Sequence, residues 1–236
     1  MKGSNIILQV QDLHSWYTES HVLHGVTFDV FEGEVVTLLG RNGSGRTTTL
    51  RAIMGMVTRR TGSVRVRGTE CIDWPTYRIA RLGVGYCPEE RGIYSSLSAE
   101  ENLLLPPKIS ESALSLTQIY DLFPNLRERA SAQGTRLSGG EQQMLAVARI
   151  LRIGARLLLL DEISEGLAPV IVQRLAEIVA QLRKSGYTIV MVEQNFHFSA
   201  PLSDRLLVME HGKIAMQVNA AEIEKSLPQL QAFLGV

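Results

Sequence analysis

Cysteine is scarce in this chain: Cys71 and Cys87 are the two in 236 residues. Two thiols cannot staple a disulfide scaffold. They suit a reducing compartment, where a lone cysteine is a small buried hydrophobe. Net charge is missing too, because 24 basic residues face 24 acidic ones. A general nucleic-acid binder carries a basic excess, so that class is set aside. No uncharged apolar run approaches the roughly 18 residues that would span a membrane. Met1–Val10 has no basic start followed by a long apolar run, so no signal peptide is expected there. Internal repeats and low-complexity stretches are absent. What remains is the expectation of a soluble cytoplasmic globular protein. Its 45% hydrophobic residues supply a core for one domain, or for one domain with an insertion.

The pattern along the chain begins with strands. Ile6–Val10 and Val22–Phe31 are apolar or alternating, with a polar stretch between them. Val35–Leu39 is a short β-rich run that stops at Gly40, and Thr47–Met56 has helical composition. Val64–Val66 and Val84–Cys87 are further short strands. From about Pro88 to Arg152 the texture changes. Helical stretches such as Glu111–Phe123 and Gln142–Leu151 are broken by Pro106, Pro107 and Pro124, which reads as a helical insertion. The α/β alternation then resumes with the buried strand Leu157–Leu160, the helix Val170–Lys184 and the strand Thr188–Val192. A hairpin is predicted from Leu206–Met209 and Lys213–Val218, and a last helix over Ala220–Leu234. This alternation predicts a parallel α/β sheet with helices on both faces.

Three motifs carry chemistry. Gly40-Arg41-Asn42-Gly43-Ser44-Gly45-Arg46-Thr47 follows a predicted strand and opens a predicted helix, as a phosphate loop does. Its glycines let successive N–H groups turn inward toward phosphate oxygens, and the helix adds its positive end. The Thr47 hydroxyl suits Mg²⁺, a cation that prefers oxygen ligands. The departure is Arg46, where the pattern has lysine. Its planar fork is not equivalent to a compact ammonium, so phosphate binding with slowed hydrolysis is expected. The second motif, Leu157–Glu162, is an apolar strand ending in two acids. Asp161 would hold Mg²⁺, and Glu162 would orient or deprotonate an attacking water. In the third, Leu137–Gln143, Ser138 and the Gly139-Gly140 backbone form another anion-binding helix start.

Together these motifs resemble the ATP-binding subunits of ABC transporters: Walker A, the LSGGQ-type signature and Walker B. The resemblance covers nearly the whole chain. It implies a P-loop NTPase (RecA-like) α/β core with an antiparallel β subdomain and a helical subdomain at about 90–152. It also implies a dimer, with itself or a paralogue, that sandwiches ATP and Mg²⁺. The nucleotide would lie on Gly40–Thr47 and Thr48 of one subunit and on Ser138, Gly139 and Gly140 of the other. Tyr17 falls where an aromatic stacks on adenine, the alternative being a strand-end surface tyrosine. Glu89 occupies the Q-loop position, where most relatives have Gln, and joins Thr47 and Asp161 as an implied metal ligand. Ser164–Leu167 occupies the D-loop. Gln194 takes the switch position that is usually His, and can position but not carry a proton.

The texture of Pro88–Arg91, Ser98–Leu103, Gly166–Pro169 and Val192–Asn195 resembles an ATPase subunit of branched-chain amino acid importers. Urea or short-amide importers and a weakly hydrolysing regulatory clamp stay open. Permease subunits, a solute-binding protein and a peripheral place on the inner face of the cell membrane are implied partners and setting. Other features have plainer readings. His14, His21 and His24 lack partners at ligand spacing and read as surface or packing residues. Arg51, Arg59, Arg60, Arg65, Arg67, Arg78 and Arg81 read as a solvated face, and Met54, Met56, Met144 and Met191 as core.

Overall fold

The computed structural model describes residues 5–234. Met1–Ser4, part of the stretch read above for a leader, lie outside the described residues, as do Gly235 and Val236. In chain order the strands are β1 (Ile6–Tyr17), β2 (Ser20–Phe31), β3 (Val35–Leu39), β4 (Arg59–Val66), β5 (Thr69–Glu70), β6 (Val84–Cys87), β7 (Leu157–Asp161), β8 (Thr188–Glu193), β9 (Arg205–Glu210) and β10 (Lys213–Asn219). The helices are α1 (Arg46–Ile53), α2 (Thr76–Ala80), α3 (Ala99–Leu104), α4 (Leu116–Leu122), α5 (Pro124–Glu128), α6 (Gly139–Arg152), α7 (Pro169–Lys184), α8 (Phe196–Ser199) and α9 (Ile223–Leu234).

One six-stranded sheet, ordered β10-β9-β3-β8-β7-β6, is parallel except for β10, which pairs antiparallel with β9. Its central strands are buried throughout, as their unbroken apolar runs require. Successive side chains point to opposite faces and feed two cores. Leu158, Leu160, Ile189 and Met191 pack with α6 and α7. Leu157, Leu159, Val190 and Val192 pack toward α1 and the second sheet. That second sheet is antiparallel, ordered β2-β1-β4-β5. Between β6 and β7 the described chain forms α3–α6 and no strand, with α6 carrying its apolar face onto β6. No described helix is long and apolar enough to cross a membrane.

Several boundaries differ from the sequence expectation. Instead of ending at Val10, β1 runs on to Tyr17 through a register shift between Val10 and Leu13, with Asp12 at φ 49°. This bulge resets the alternation, so Leu13 and Ser15 point inward although the stretch reads as polar. The partner strand β2 accordingly starts at Ser20 rather than Val22. On the other edge β4 begins at Arg59 rather than Val64, because Arg59–Ser63 pair with β1. In place of a helix over Glu111–Phe123, α4 starts only at Leu116. There Ser115 and Gln118 form a reciprocal capping box that fixes the helix start.

Met56 is 51% exposed beyond the end of α1, whereas Met54, Met144 and Met191 are core. Arg60 is not a solvated residue: it is half-buried and donates to the carbonyls of Ala52, Cys71 and Trp74. The three histidines form a ring cluster around Trp16, with His21 stacked on the indole at 4.3 Å and the Arg59 guanidinium 4.5 Å from the Trp16 ring. Both cysteines are buried free thiols.

Candidate functional site

The site forms where β3, β7 and β8 end side by side. After Leu39 the chain turns through Gly40–Gly45 into α1. A Cβ on Gly40 would lie 2.5 Å from the Met209 carbonyl and 2.6 Å from Ser44 Oγ. Gly45 holds φ +105° against Leu23, a backbone that an L side chain resists. Gly45 caps α1, and no acid occupies the helix's first turn, so its N-terminal N–H groups keep their positive end. Ser44 Oγ is buried in this loop with no hydrogen-bond partner, an orphan that an incoming polar group can satisfy. Arg41, Asn42 and Gly43 are exposed on the loop, and Thr48 is buried behind it. A cleft of about 380 Å³ runs from the loop to Glu89, Glu162, Glu165 and Gln194.

Beside Thr47, which lines the cleft, two hydroxyls converge on the buried Asp161. Thr47 Oγ1 donates to Asp161 Oδ1 at 2.9 Å, and the Tyr86 hydroxyl donates to Asp161 Oδ2 at 2.8 Å. Burial pushes the Asp161 carboxyl up from its ordinary range, and these two donors oppose it. A hydroxyl and a carboxylate in contact are a hard-oxygen pair of the kind Mg²⁺ selects. Glu89 stands at the exposed rim of the same cleft. Its carboxyl is raised by burial first and then by Glu162, Glu90, Asp161 and Glu165.

Glu162 is 8% exposed and sits at φ 48°, the left-handed region that costs an L residue. Gln194 Nε2 donates to its Oε2 at 2.9 Å. Arg46 Nη2 donates to its Oε1 at 2.8 Å. The Arg46 guanidinium is 4% exposed and also donates from Nη1 to the Glu193 carbonyl at 2.6 Å and from Nη2 to Asn42 Oδ1 at 3.3 Å. Burial lowers the pKa of Arg46, and Glu162 leads the opposing pull. Arg46 is thus turned onto the strand ends.

The other sequence-singled residues are distributed around this centre. Tyr17 ends β1 and is 40% exposed. Arg51 of α1 lies against the Tyr86 and Tyr17 hydroxyls and pairs with Glu90 at 2.8 Å. Ser138 caps α6: its Oγ accepts from Glu141 N at 3.2 Å, and its own N donates to Glu141 Oε2 at 2.7 Å. Gly140 is pressed on Ile171, where a Cβ would be 2.8 Å away. Among the described residues, no hydrogen bond joins Ser138–Gly140 to the phosphate loop within the chain, and they do not line its cleft.

Two functional groups escape sequence reasoning. Tyr86 falls in the predicted strand Val84–Cys87, and Glu193 follows the predicted strand Thr188–Val192, with no role assigned to either. Glu193 accepts from Ser164 Oγ at 2.7 Å and Ser164 N at 3.1 Å, and burial raises its carboxyl to about 7.

Residues 23–165 match the profile of the ABC transporter family. The high-affinity branched-chain amino acid transport ATP-binding protein BraG of Pseudomonas aeruginosa is 38% identical over 97% of this chain and 100% of that protein. The probable branched-chain amino acid transport ATP-binding protein LivF of Archaeoglobus fulgidus is 32% identical, over 92% and 94%. The lipopolysaccharide export system ATP-binding protein LptB of Escherichia coli is 30% identical over 97% of each. A solved ATP-binding subunit of an ABC transporter superposes with a TM-score of 0.82 at 27% identity, covering 98% of this chain and 100% of that one. A phosphate loop, two strand-end acids and a capped signature helix on this fold, with relatives matched end to end, make the chain a member of the ABC transporter family and one of its ATPase subunits.

Proposed function

We propose that this chain powers an importer of branched-chain amino acids by binding and hydrolysing ATP at the cleft below the phosphate loop. The observation that carries the hydrolytic reading is the contact of Thr47 and Asp161 at 2.9 Å beside the buried Glu162. In this reading the amides of Gly40–Thr47 cradle the phosphates, with Arg41, Asn42 and Thr48 at their edges, and Tyr17 stacks on the adenine. Thr47, Asp161 and Glu89 hold Mg²⁺, which when bound offsets phosphate charge. Glu162 accepts the proton of the attacking water, and Gln194, already on its carboxylate, positions that water. Arg46 supplies the cation of the loop.

Ser138, Gly139 and Gly140 stand away from this cleft, which supports their acting on the nucleotide of a second subunit, identical or paralogous. The helices between β6 and β7, residues 90–152, serve as the subdomain that relays closure to membrane permeases. The subunit then works peripherally on the inner face of the cell membrane, with a solute-binding protein delivering substrate.

The 38% identity to a branched-chain amino acid transport protein, against 30% to a lipopolysaccharide export protein, favours import. Reconstitution with a co-purifying permease and its binding protein tests it. ATP-dependent uptake of labelled leucine, isoleucine and valine is expected. Uptake of urea or short amides alone transfers the reading to that class. A soluble ATP-stabilised dimer with no permease makes the chain a regulatory clamp.

A further inference from the structure

Each carboxylate oxygen of Glu162 already carries a donor: Arg46 on Oε1 and Gln194 on Oε2. The Arg46–Glu162 pair is sheltered, with side chains 4% and 9% exposed. The second arm of the same guanidinium binds the Glu193 carbonyl at the end of β8. One planar fork therefore ties the first residue of α1 to the ends of both β7 and β8, a span that suits guanidinium better than a compact ammonium. A cation so engaged lines the cleft where the phosphates arrive, but its donors are spent on Glu162, the Glu193 carbonyl and Asn42. A carboxylate so engaged has both oxygens covered by donors.

We infer that Arg46 is a nucleotide-displaced latch: its guanidinium holds Glu162, and phosphate oxygens that recruit the guanidinium release that carboxylate. The inference rests on the ATP reading above. Release acts twice. It places the cation on the nucleotide, and it uncovers Oε1 of Glu162, the carboxylate oxygen that the guanidinium occupies. Coupling is reciprocal: if nucleotide opposes the ion pair, the ion pair opposes nucleotide by the same factor.

The test is calorimetry of Mg·ADP, which cannot be hydrolysed at the γ-position, on the full chain. Glu162→Gln removes the latch partner and is expected to tighten Mg·ADP about tenfold, the low end for close charge pairs. Glu165→Gln removes an acid from the same cleft without touching the hydrogen bonds of Arg46, and is expected to tighten it less than about threefold. Because glutamine at 162 leaves Arg46 buried without its counter-charge, Glu162→Asp gives a second reading. It keeps the charge, shortens the reach, and is also expected to tighten binding. Equal tightening in Glu162→Gln and Glu165→Gln reduces the effect to general charge and overturns the latch. Unchanged affinity in both Glu162 variants overturns it as well, while leaving the nucleotide site intact. No binding to any form, wild type included, overturns latch and site together. A crystal structure of the wild type with Mg·ADP in which Arg46 stays on Glu162 would also overturn it.

Discussion

Ser164 and Glu193 form a closed pair at the back of the site: the hydroxyl and amide of Ser164 both donate to one buried carboxylate, at 2.7 and 3.1 Å. Ser164 follows the strand-end acids after β7, and Glu193 ends β8, so the pair stitches the segment leaving β7 to the end of β8. The neighbouring charged groups are Glu162, which raises the Glu193 carboxyl, and Arg46, which lowers it. Burial outweighs both partners and sets the group at about 7, against an ordinary 4.5.

That shift has a signed consequence for stability. Between 4.5 and about 7 the folded chain holds a proton that the unfolded chain has lost. Stability attributable to Glu193 therefore falls as pH rises through that window and is lowest above it. At 1.36 kcal/mol per pH unit the difference is of order 3 kcal/mol. Glu193→Gln keeps an acceptor for Ser164 and cannot ionise. Urea denaturation should find this variant close to wild type at pH 5 and more stable by about 2–3 kcal/mol at pH 8. The same increment at both pH values would mean that the carboxyl does not titrate in this window.

Glu162→Gln should separate binding from chemistry. In the assembled transporter, phosphate release is expected to fall by about 10²-fold or more, the scale of a lost general base. Near-full activity would place the base elsewhere. Arg46→Lys, which exchanges a fork for a compact charge, should raise turnover several-fold. No rise would show that the guanidinium does not limit hydrolysis.

Much of this site was legible because its chemistry lies in residue types at motif spacing. Gly40–Thr47, Asp161, Glu162 and Ser138 each stand where a strand end or a helix start needs them. The central sheet was legible for a related reason: β3, β7 and β8 are short, mostly apolar runs, too short for helices and buried along their whole length. The rest depended on contacts distant along the chain. Tyr86 reaches Asp161 across 75 residues, and Arg46 reaches Glu193 across 147. Strand β1 outruns its sequence signal because a bulge at Asp12 breaks the alternation that a window of sequence relies on.

Tyr86→Phe tests one of those unread contacts. It deletes the 2.8 Å bond to Asp161 Oδ2 and leaves Thr47 as the remaining side-chain donor among the described residues. The loss should cost about 1 kcal/mol of stability in denaturant titration. It should also raise the Mg²⁺ concentration for half-maximal ATPase by roughly tenfold, as expected when an outer partner of a metal ligand is removed. An unchanged Mg²⁺ requirement would separate Asp161 from the metal.

Tyr17 and Trp16 are adjacent rings with different availability. Trp16 is stacked on His21, interplanar angle 10°, with Arg59 over its ring, so its faces are engaged within the sheet. Tyr17 ends the strand at the hairpin, 40% exposed and with no ring stacked on it among the described residues. If adenine stacks on Tyr17, Tyr17→Ala should weaken ATP roughly tenfold, from a base–aromatic stack of about 1–3 kcal/mol, whereas Tyr17→Phe should leave the affinity within about twofold. A triphosphate without a base, used as competitor, should bind all three forms alike. Equal ATP affinity in wild type and Tyr17→Ala would return Tyr17 to a strand-end surface residue, with the base held by other groups.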